Sequence, residues 1–220
     1  MRNNHKPIAH EGYPFIGGFA AGAIVSALLA VTVCSWLLYT STSLLILLTL
    51  FTMYFFRDPE RSALCDENTV IAPADGEVIV LERVSESPLG SQALKISIFM
   101  SVFNVHINRI PIAGKVLDIT YFPGKFFDAR HQRTSFENER NIVVLETASG
   151  VRIAVVQIAG LIARRIICYP VVGDVLMRGV RYGMIRFGSR VDVYLPEYIQ
   201  PLVKLGDMTV AGVTPLGRIR

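Results

Sequence analysis

Between Gly12 and Phe56 the chain has no charged residue at all. That absence excludes a soluble domain surface for the stretch, because Lys, Arg, Asp and Glu are the residues that cover such surfaces. A membrane-crossing helix needs about 20 apolar residues, so the run is long enough for two. A single tilted helix would exceed the hydrocarbon thickness, and a signal peptide has an apolar region of only about 7–15 residues. The polar dip Tyr39-Thr40-Ser41-Thr42-Ser43 offers a place to turn. The second span then either begins near Ser43 and is short, or begins before the dip, near Trp36. Arg2 and Lys6 precede the run, and Arg57 and Arg61 follow it. A hairpin puts both basic flanks on one side, which the positive-inside bias makes cytoplasmic. The expected plan is a cytoplasmic segment at 1–12, a membrane anchor at 13–56 and one domain at 57–220.

Cysteine is scarce. Cys34, Cys65 and Cys168 show no CxxC spacing, which excludes a disulfide framework or a zinc site and leaves them as small buried hydrophobes. The four histidines and the carboxylates nowhere take up metal-ligand spacing, so no metal is expected. His5 and His10 precede the anchor, and His131 sits in a polar loop. The net charge of +4 is dispersed, apart from Arg164-Arg165 and the 178–190 cluster. Without a dense basic stripe and aromatic platforms there is no nucleic-acid site. On an anchored domain, such a surface suits anionic headgroups, and solubility alone would also account for it. No G-x-S-x-G elbow occurs; the sequence around Ser189 reads Arg186-Phe187-Gly188-Ser189-Arg190.

Long amphipathic helices are also missing past Arg57, and strand patterns take their place. Val70-Ile71-Ala72 and Glu77–Leu81 flank Pro73-Ala74-Asp75-Gly76, a strand–turn–strand pattern with Asp-Gly at the turn. Leu94–Phe99, Val116–Tyr121, Ile142–Glu146 and Val151–Gln157 read as strands, with Ile153–Ile158 apolar enough to be central. Phe126–Glu139 is a polar loop with at most a short helix. Gly173-Asp174-Val175-Leu176-Met177-Arg178-Gly179-Val180 is echoed by Gly206-Asp207-Met208-Thr209-Val210-Ala211-Gly212-Val213. These features describe an α+β, β-rich chain: a transmembrane helical hairpin followed by a compact antiparallel β-sandwich-like domain with quasi-duplicated hairpins.

Three residues are candidates for chemistry, and each also has a plain structural reading. Asp75 can be the first residue of a turn, or a carboxylate that orients a histidine. In Val105-His106-Ile107-Asn108-Arg109, a strand would place His106 and Asn108 on one face and the apolar residues on the other. Ser189 follows Gly188 inside an otherwise extended run, where a small dipeptide weakens the strand.

Together these pieces resemble the phosphatidylserine decarboxylase proenzyme family, in its short, membrane-anchored form. The resemblance runs through Phe56-Arg57-Asp58-Pro59, Ile71-Ala72-Pro73-Ala74-Asp75-Gly76, and Phe99-Met100-Ser101 leading to Val105-His106-Ile107-Asn108-Arg109-Ile110-Pro111. It continues in Asn138-Glu139-Arg140-Asn141, Gln157-Ile158-Ala159-Gly160, Ala163-Arg164-Arg165-Ile166 and Phe187-Gly188-Ser189-Arg190-Val191.

The resemblance implies self-cleavage at Gly188-Ser189 into a beta chain, 1–188, and an alpha chain, 189–220, which stay associated. It also implies a covalent pyruvoyl cofactor made from Ser189. Through a Schiff base to that group the enzyme would convert phosphatidylserine to phosphatidylethanolamine and carbon dioxide, at the cytoplasmic face of the cell membrane. Catalytic roles fall to Ser189, His106 and Asp75. Arg190, Asn108 and Arg109 are candidates for substrate binding. Many members carry a second histidine three residues beyond the first, where this chain has Arg109, a poor base. Either His106 then serves both processing and decarboxylation, or another residue takes one role. The familiar L-G-S-T cleavage motif here reads Phe187-Gly188-Ser189-Arg190, with the Gly-Ser pair kept.

Other readings stay open at this stage. A related serine phospholipid such as archaetidylserine would look the same, and so far would a membrane-tethered, non-enzymatic β-sandwich module. A carrier of that kind would want a lysine at a hairpin tip, and Asp75-Gly76-Glu77 holds the obvious turn. A serine hydrolase built on Ser189 and His106 would lack the nucleophile elbow. Homo-oligomerisation is equally undecided.

Overall fold

The computed structural model describes residues 6–62, 65–131, 134–161, 165–186 and 188–219. Of the residues singled out in the sequence, Arg2, His5, Ala163, Arg164 and Phe187 lie outside these. The chain forms two units, Met1–Glu60 and Arg61–Arg220.

In the first unit α1 (Tyr13–Val33) opens with Pro14 in its first turn, where a missing N–H costs nothing, and ends at Cys34 in the left-handed region with φ 52°. α2 (Trp36–Phe55) starts two residues later. Both helices are long and apolar enough to cross a membrane. Of the two starts left open, the second helix takes Trp36, and the polar run Tyr39–Ser43 lies inside it rather than at the turn. The reason is a polar seam between the helices. Ser26 Oγ lies 2.6 Å from Ser41 Oγ, and Thr42 Oγ1 donates to Ser26 Oγ at 3.0 Å. Ala23, Ser26 and Ala30 are buried along α1, and Gly22 faces the Leu45 methyls, so small residues let the backbones approach. Ile24, Leu28, Val31, Leu44, Leu47 and Leu50 point outward and exposed, as lipid-facing side chains do.

The second unit contains β1 (Thr69–Ile71), β2 (Gly76–Val84), β3 (Ala93–Met100), β4 (Ile107–Arg109), β5 (Gly114–Phe122), α3 (Thr134–Glu137), β6 (Arg140–Glu146) and β7 (Arg152–Ile158). After these come β8 (Ile166–Cys168), β9 (Val175–Leu176), β10 (Arg181–Ile185), β11 (Ser189–Pro196), β12 (Met208–Thr209) and β13 (Pro215–Arg218). Among the described residues, eight strands form a curled antiparallel sheet in the order β12-β2-β3-β11-β7-β6-β5-β9. β1 pairs with β13, and β4-β10-β8 make a third sheet. Val78, Ile96, Ile98, Val143, Val155, Val191 and Val193 belong to the shared core.

The Asp75-Gly76 hairpin expected from the sequence does not form, because β1 and β2 lie in different sheets. Gly76 instead crosses against β3. A Cβ on it would stand 2.0 Å from the Phe99 carbonyl oxygen, so close backbone approach, rather than a tight turn, requires glycine there.

The repeat seen in sequence is one part of a larger internal duplication. The sheet reads as two matching runs, β12-β2-β3-β11 and β9-β5-β6-β7. Ala72-Pro73-Ala74-Asp75-Gly76-Glu77-Val78 enters β2 as Ile110-Pro111-Ile112-Ala113-Gly114-Lys115-Val116 enters β5. Register shifts fall at the matching places, Val78/Val80 and Val116/Asp118. Gly206 N donates to Val78 O, and Gly173 N to Val116 O. Where the segments cross, Ile71 N donates to Pro111 O and Arg109 N to Pro73 O, both at 2.9 Å. The second half, β4 to β10, is contiguous. It lies between β3 and β11 of the first half, at the place where the second half joins β6 to β7 through the short turn Thr147–Val151.

Candidate active site

This insertion decides where the candidate residues meet. β3 and β11 pair from Ser189↔Met100 onward. Ser189 therefore starts its strand where β3 ends, and the chain leaving Met100 runs straight into the loop that carries His106. The loop is shaped by Asn104. Its Oδ1 accepts from Ser101 N at 2.8 Å and Ser101 Oγ at 2.7 Å, while its own N–H donates to Ser101 O at 3.0 Å. His106 follows, fully buried. Its Nδ1 lies 3.0 Å from the Asn104 carbonyl oxygen. A carbonyl only accepts, so Nδ1 carries the proton, and in the neutral ring Nε2 keeps the lone pair of a base.

Ser189 is also fully buried, and its Oγ has no hydrogen-bond partner among the described residues. A buried hydroxyl left unsatisfied is costly, and one at a strand start beside a histidine loop is a candidate nucleophile. Gly188, just before it, has φ +61°, a conformation that favours glycine. Its counterpart in the other half is Gly150, φ +77°. Gly150-Val151-Arg152-Ile153 corresponds to Gly188-Ser189-Arg190-Val191.

Asp75 is almost buried. Its Oδ2 accepts from Arg61 Nη2 at 2.9 Å and its Oδ1 from the N–H of Ala211 at 2.8 Å; Arg61 Nη1 also bonds Oδ1. The carboxylate thus ties the start of the unit to its C-terminal segment. Gly76 next to it presses on Phe99, and Met100 pairs with Ser189, so β3 alone separates this corner from the serine.

The remaining candidates are held by protein groups. Asn108 Oδ1 accepts from Gln157 Nε2 at 2.9 Å, and its Nδ2 lies 3.6 Å from Met100 Sδ. Gln157 also reaches Ile167 O and Asn141, completing a buried chain of amides. Burial pushes the nearby Cys168 thiol up, against a hydrogen bond to Asn141. Burial first, and then Cys168, pushes the Tyr182 phenol well above its ordinary range. Arg109 Nη1 donates to Gly179 O at 3.0 Å. Arg190 is completely buried. Its Nε pairs with Asp192 Oδ1 at 2.8 Å, its Nη1 donates to the carbonyls of Ala129 and His131, and its Nη2 bonds Ser135. It fastens Ala129, His131 and Ser135 to the strand that begins with Ser189.

Asn104, Ser135 and Asp192 had not stood out in the sequence. Ser101-x-x-Asn104 is a recognisable turn signal, but a carboxylate two residues along a strand from an arginine announces nothing until both prove buried.

The model of the phosphatidylserine decarboxylase family matches residues 48–217. A phosphatidylserine decarboxylase proenzyme of Pelobacter propionicus is 62% identical over 219 residues, covering 100% of both chains. A proenzyme of the same name from Geotalea uraniireducens is 56% identical over 217 residues, 99% of each chain, and one from Syntrophotalea carbinolica is 51% identical over 221 residues. The chain belongs to the phosphatidylserine decarboxylase family, a family of enzymes.

Proposed function

We propose that this chain is a self-processing decarboxylase that converts phosphatidylserine to phosphatidylethanolamine with a pyruvoyl group made from Ser189. The observation that carries the reading is the buried Ser189 Oγ without a hydrogen-bond partner among the described residues, one residue after a positive-φ glycine and beside the strand that leads to His106.

In the processing step Ser189 Oγ adds to the Gly188 carbonyl carbon while His106 Nε2 takes the hydroxyl proton. The C–N bond breaks, the freed amine takes a proton, and an ester joins residues 188 and 189. Loss of the Ser189 α-proton expels Gly188 as a carboxylate and leaves dehydroalanine. Tautomerisation and addition of water then release ammonia and leave the pyruvoyl group. That group supplies a carbonyl that takes up the substrate amine and draws in the electron pair left as carbon dioxide departs. Asp75 enters as the carboxylate member of the arrangement, held by Arg61 and Ala211. Arg190 and Asn108 enter as residues that hold the surroundings of Ser189, since protein groups already engage their polar atoms.

Cutting after Gly188 need not release the short chain. β11 stays paired to β3 and β7, and Val191, Val193 and Leu195 are fully buried. At about 1.5–3 kcal/mol per buried side chain, these three alone contribute roughly 5–9 kcal/mol. The basic flanks of the hairpin support a cytoplasmic position for the domain, by the positive-inside bias.

Intact-mass measurement under denaturing conditions tests the reading. Two chains, 1–188 and 189–220, should appear, the shorter with a blocked N-terminus. Ser189→Ala and His106→Ala should each give one uncut chain without decarboxylase activity on phosphatidylserine vesicles. Active protein with a single full-length chain and an unmodified Ser189 would end the proposal.

A further inference from the structure

Gly160 ends the Gln157-Ile158-Ala159-Gly160 stretch, and nothing in the proposed chemistry uses it. It is buried, and a Cβ placed on it would stand 2.0 Å from the Gly188 carbonyl oxygen and 3.0 Å from the carbonyl carbon. The space that any side chain would need at 160 is therefore filled by the carbonyl of the Gly188-Ser189 bond. The backbone there cannot retreat. Ala159 O accepts from Asn138 Nδ2 at 2.8 Å, and Ala159 N donates to Glu139 O at 2.9 Å. Asn138 is fully buried and is itself pinned to Phe127, whose O takes Nδ2 at 2.9 Å and whose N–H gives to Oδ1 at 3.1 Å.

We infer that Gly160, braced by Asn138, is the seat of the carbonyl attacked by Ser189, and that both are positioning residues for self-cleavage. The inference rests on the cleavage reading above. The two glycines are required for different reasons. Gly188 needs its positive φ and meets no described residue where a Cβ would go, whereas Gly160 needs the space itself. With its oxygen lodged against Gly160, the 188–189 peptide plane cannot swing, and the carbonyl carbon stays in line for the hydroxyl that follows it. A misplacement of about 1 Å at a reacting centre can cost on the order of 10²-fold in rate. A methyl group at 160 would impose at least that displacement.

The test follows cleavage in the full-length precursor made by timed cell-free translation into lipid vesicles. Gly160→Ala is compared with wild type, with Ser189→Ala, and with Gly150→Ala, which burdens the counterpart positive-φ glycine. For Gly160→Ala the 189–220 fragment should appear on the order of 10²-fold more slowly. Its melting temperature should stay close to that of Gly150→Ala, which should cleave at the wild-type rate. Neutral hydroxylamine, which cuts esters, should release no fragment from Gly160→Ala, placing the block before ester formation. Should that variant fail to fold, Asn138→Ser, whose shorter side chain cannot reach the Ala159 carbonyl, decides by the same readout and should also cleave slowly. Wild-type cleavage rates, or hydroxylamine-labile ester, in the folded variant would overturn the seat while leaving self-cleavage standing. An uncut wild-type chain with an intact Ser189 would instead sink the cleavage reading and this inference with it.

Discussion

Arg190 and Asp192 form an ion pair wholly out of solvent, Nε to Oδ1 at 2.8 Å, on the strand that Ser189 begins. Lys95 stands 3.7 Å from the same carboxylate, and Ser135 donates to it. Removing one partner of a buried pair strands the other charge and costs about 3–5 kcal/mol, whereas replacing both by apolar residues is often neutral. Arg190→Met should therefore lower the melting temperature sharply and open the 129–135 segment to limited proteolysis. Arg190→Met with Asp192→Leu should recover much of the loss. Thermal unfolding of the single and double variants checks this, and equal losses in both would contradict it.

The duplication supplies an internal control for the proposed cleavage at Gly188-Ser189. Val151→Ser would write Gly-Ser-Arg at residues 150–152, the counterpart of 188–190, also after a positive-φ glycine. Residues 150–151 belong to a short turn closed by Thr147, whose N–H bonds Val151 O. Among the described residues, no counterpart of the His106 loop joins β6 to β7, only this turn. The variant should yield the usual fragments and none ending at residue 150. Mass spectrometry of the mature protein reads the answer, and a cut there would mean that the tripeptide suffices without its setting.

Tyr182 is buried, and its hydroxyl has no hydrogen-bond partner among the described residues. Burial raises its folded pKa well above the usual value near 10. Below that pH both folded and unfolded chains keep the proton, and the contribution to stability is complete. Above it the unfolded chain ionises while the folded one does not, so stability falls as pH rises from about 10 towards the folded pKa. Tyr182→Phe should leave stability at pH 8 unchanged or slightly higher and should lessen the alkaline loss. Tyr194, also raised by burial, should maintain part of the slope. Denaturant titrations at pH 8 and above pH 10 give the comparison.

The apolar helix pair makes its own prediction. Ser26 is buried between α1 and α2, bonded to Ser41 and Thr42. Hydrogen bonds of this kind contribute about 0.6–2 kcal/mol in a membrane. Ser26→Val should weaken helix pairing by about that amount and shift the gel mobility of the detergent-solubilised hairpin. Ser43→Val should not, since Ser43 Oγ bonds only back along its own helix to Tyr39 O.

Much of the architecture was legible residue by residue. Leu94–Phe99, Val116–Tyr121 and Ile142–Glu146 all lie within strands, because alternation along a half-buried sheet is a local property. For the turn between the helices the sequence left two places open, near Ser43 or before Trp36, and the structure takes the second. Its position follows from pairing Ser26 with Ser41 and Thr42, which puts the polar residues inside a helix instead of at its end. Asp75-Gly76 misled for a similar reason. The dipeptide has turn chemistry, but a backbone crossing against Phe99 uses the glycine first.

The charge-free run, the strand alternation and the ordered motifs around Asp75, His106 and Gly188-Ser189 are properties of the sequence by itself. They are enough to define a β-rich member of the phosphatidylserine decarboxylase family that carries two helices long and apolar enough to cross a membrane. Only the tertiary structure decided that Ser189 starts its strand beside Met100 and that Gly160 lies against the Gly188 carbonyl. Each of these depends on one half of a duplicated domain being inserted into a hairpin of the other. The pairings that result join residues far apart in the chain, and no local periodicity records them.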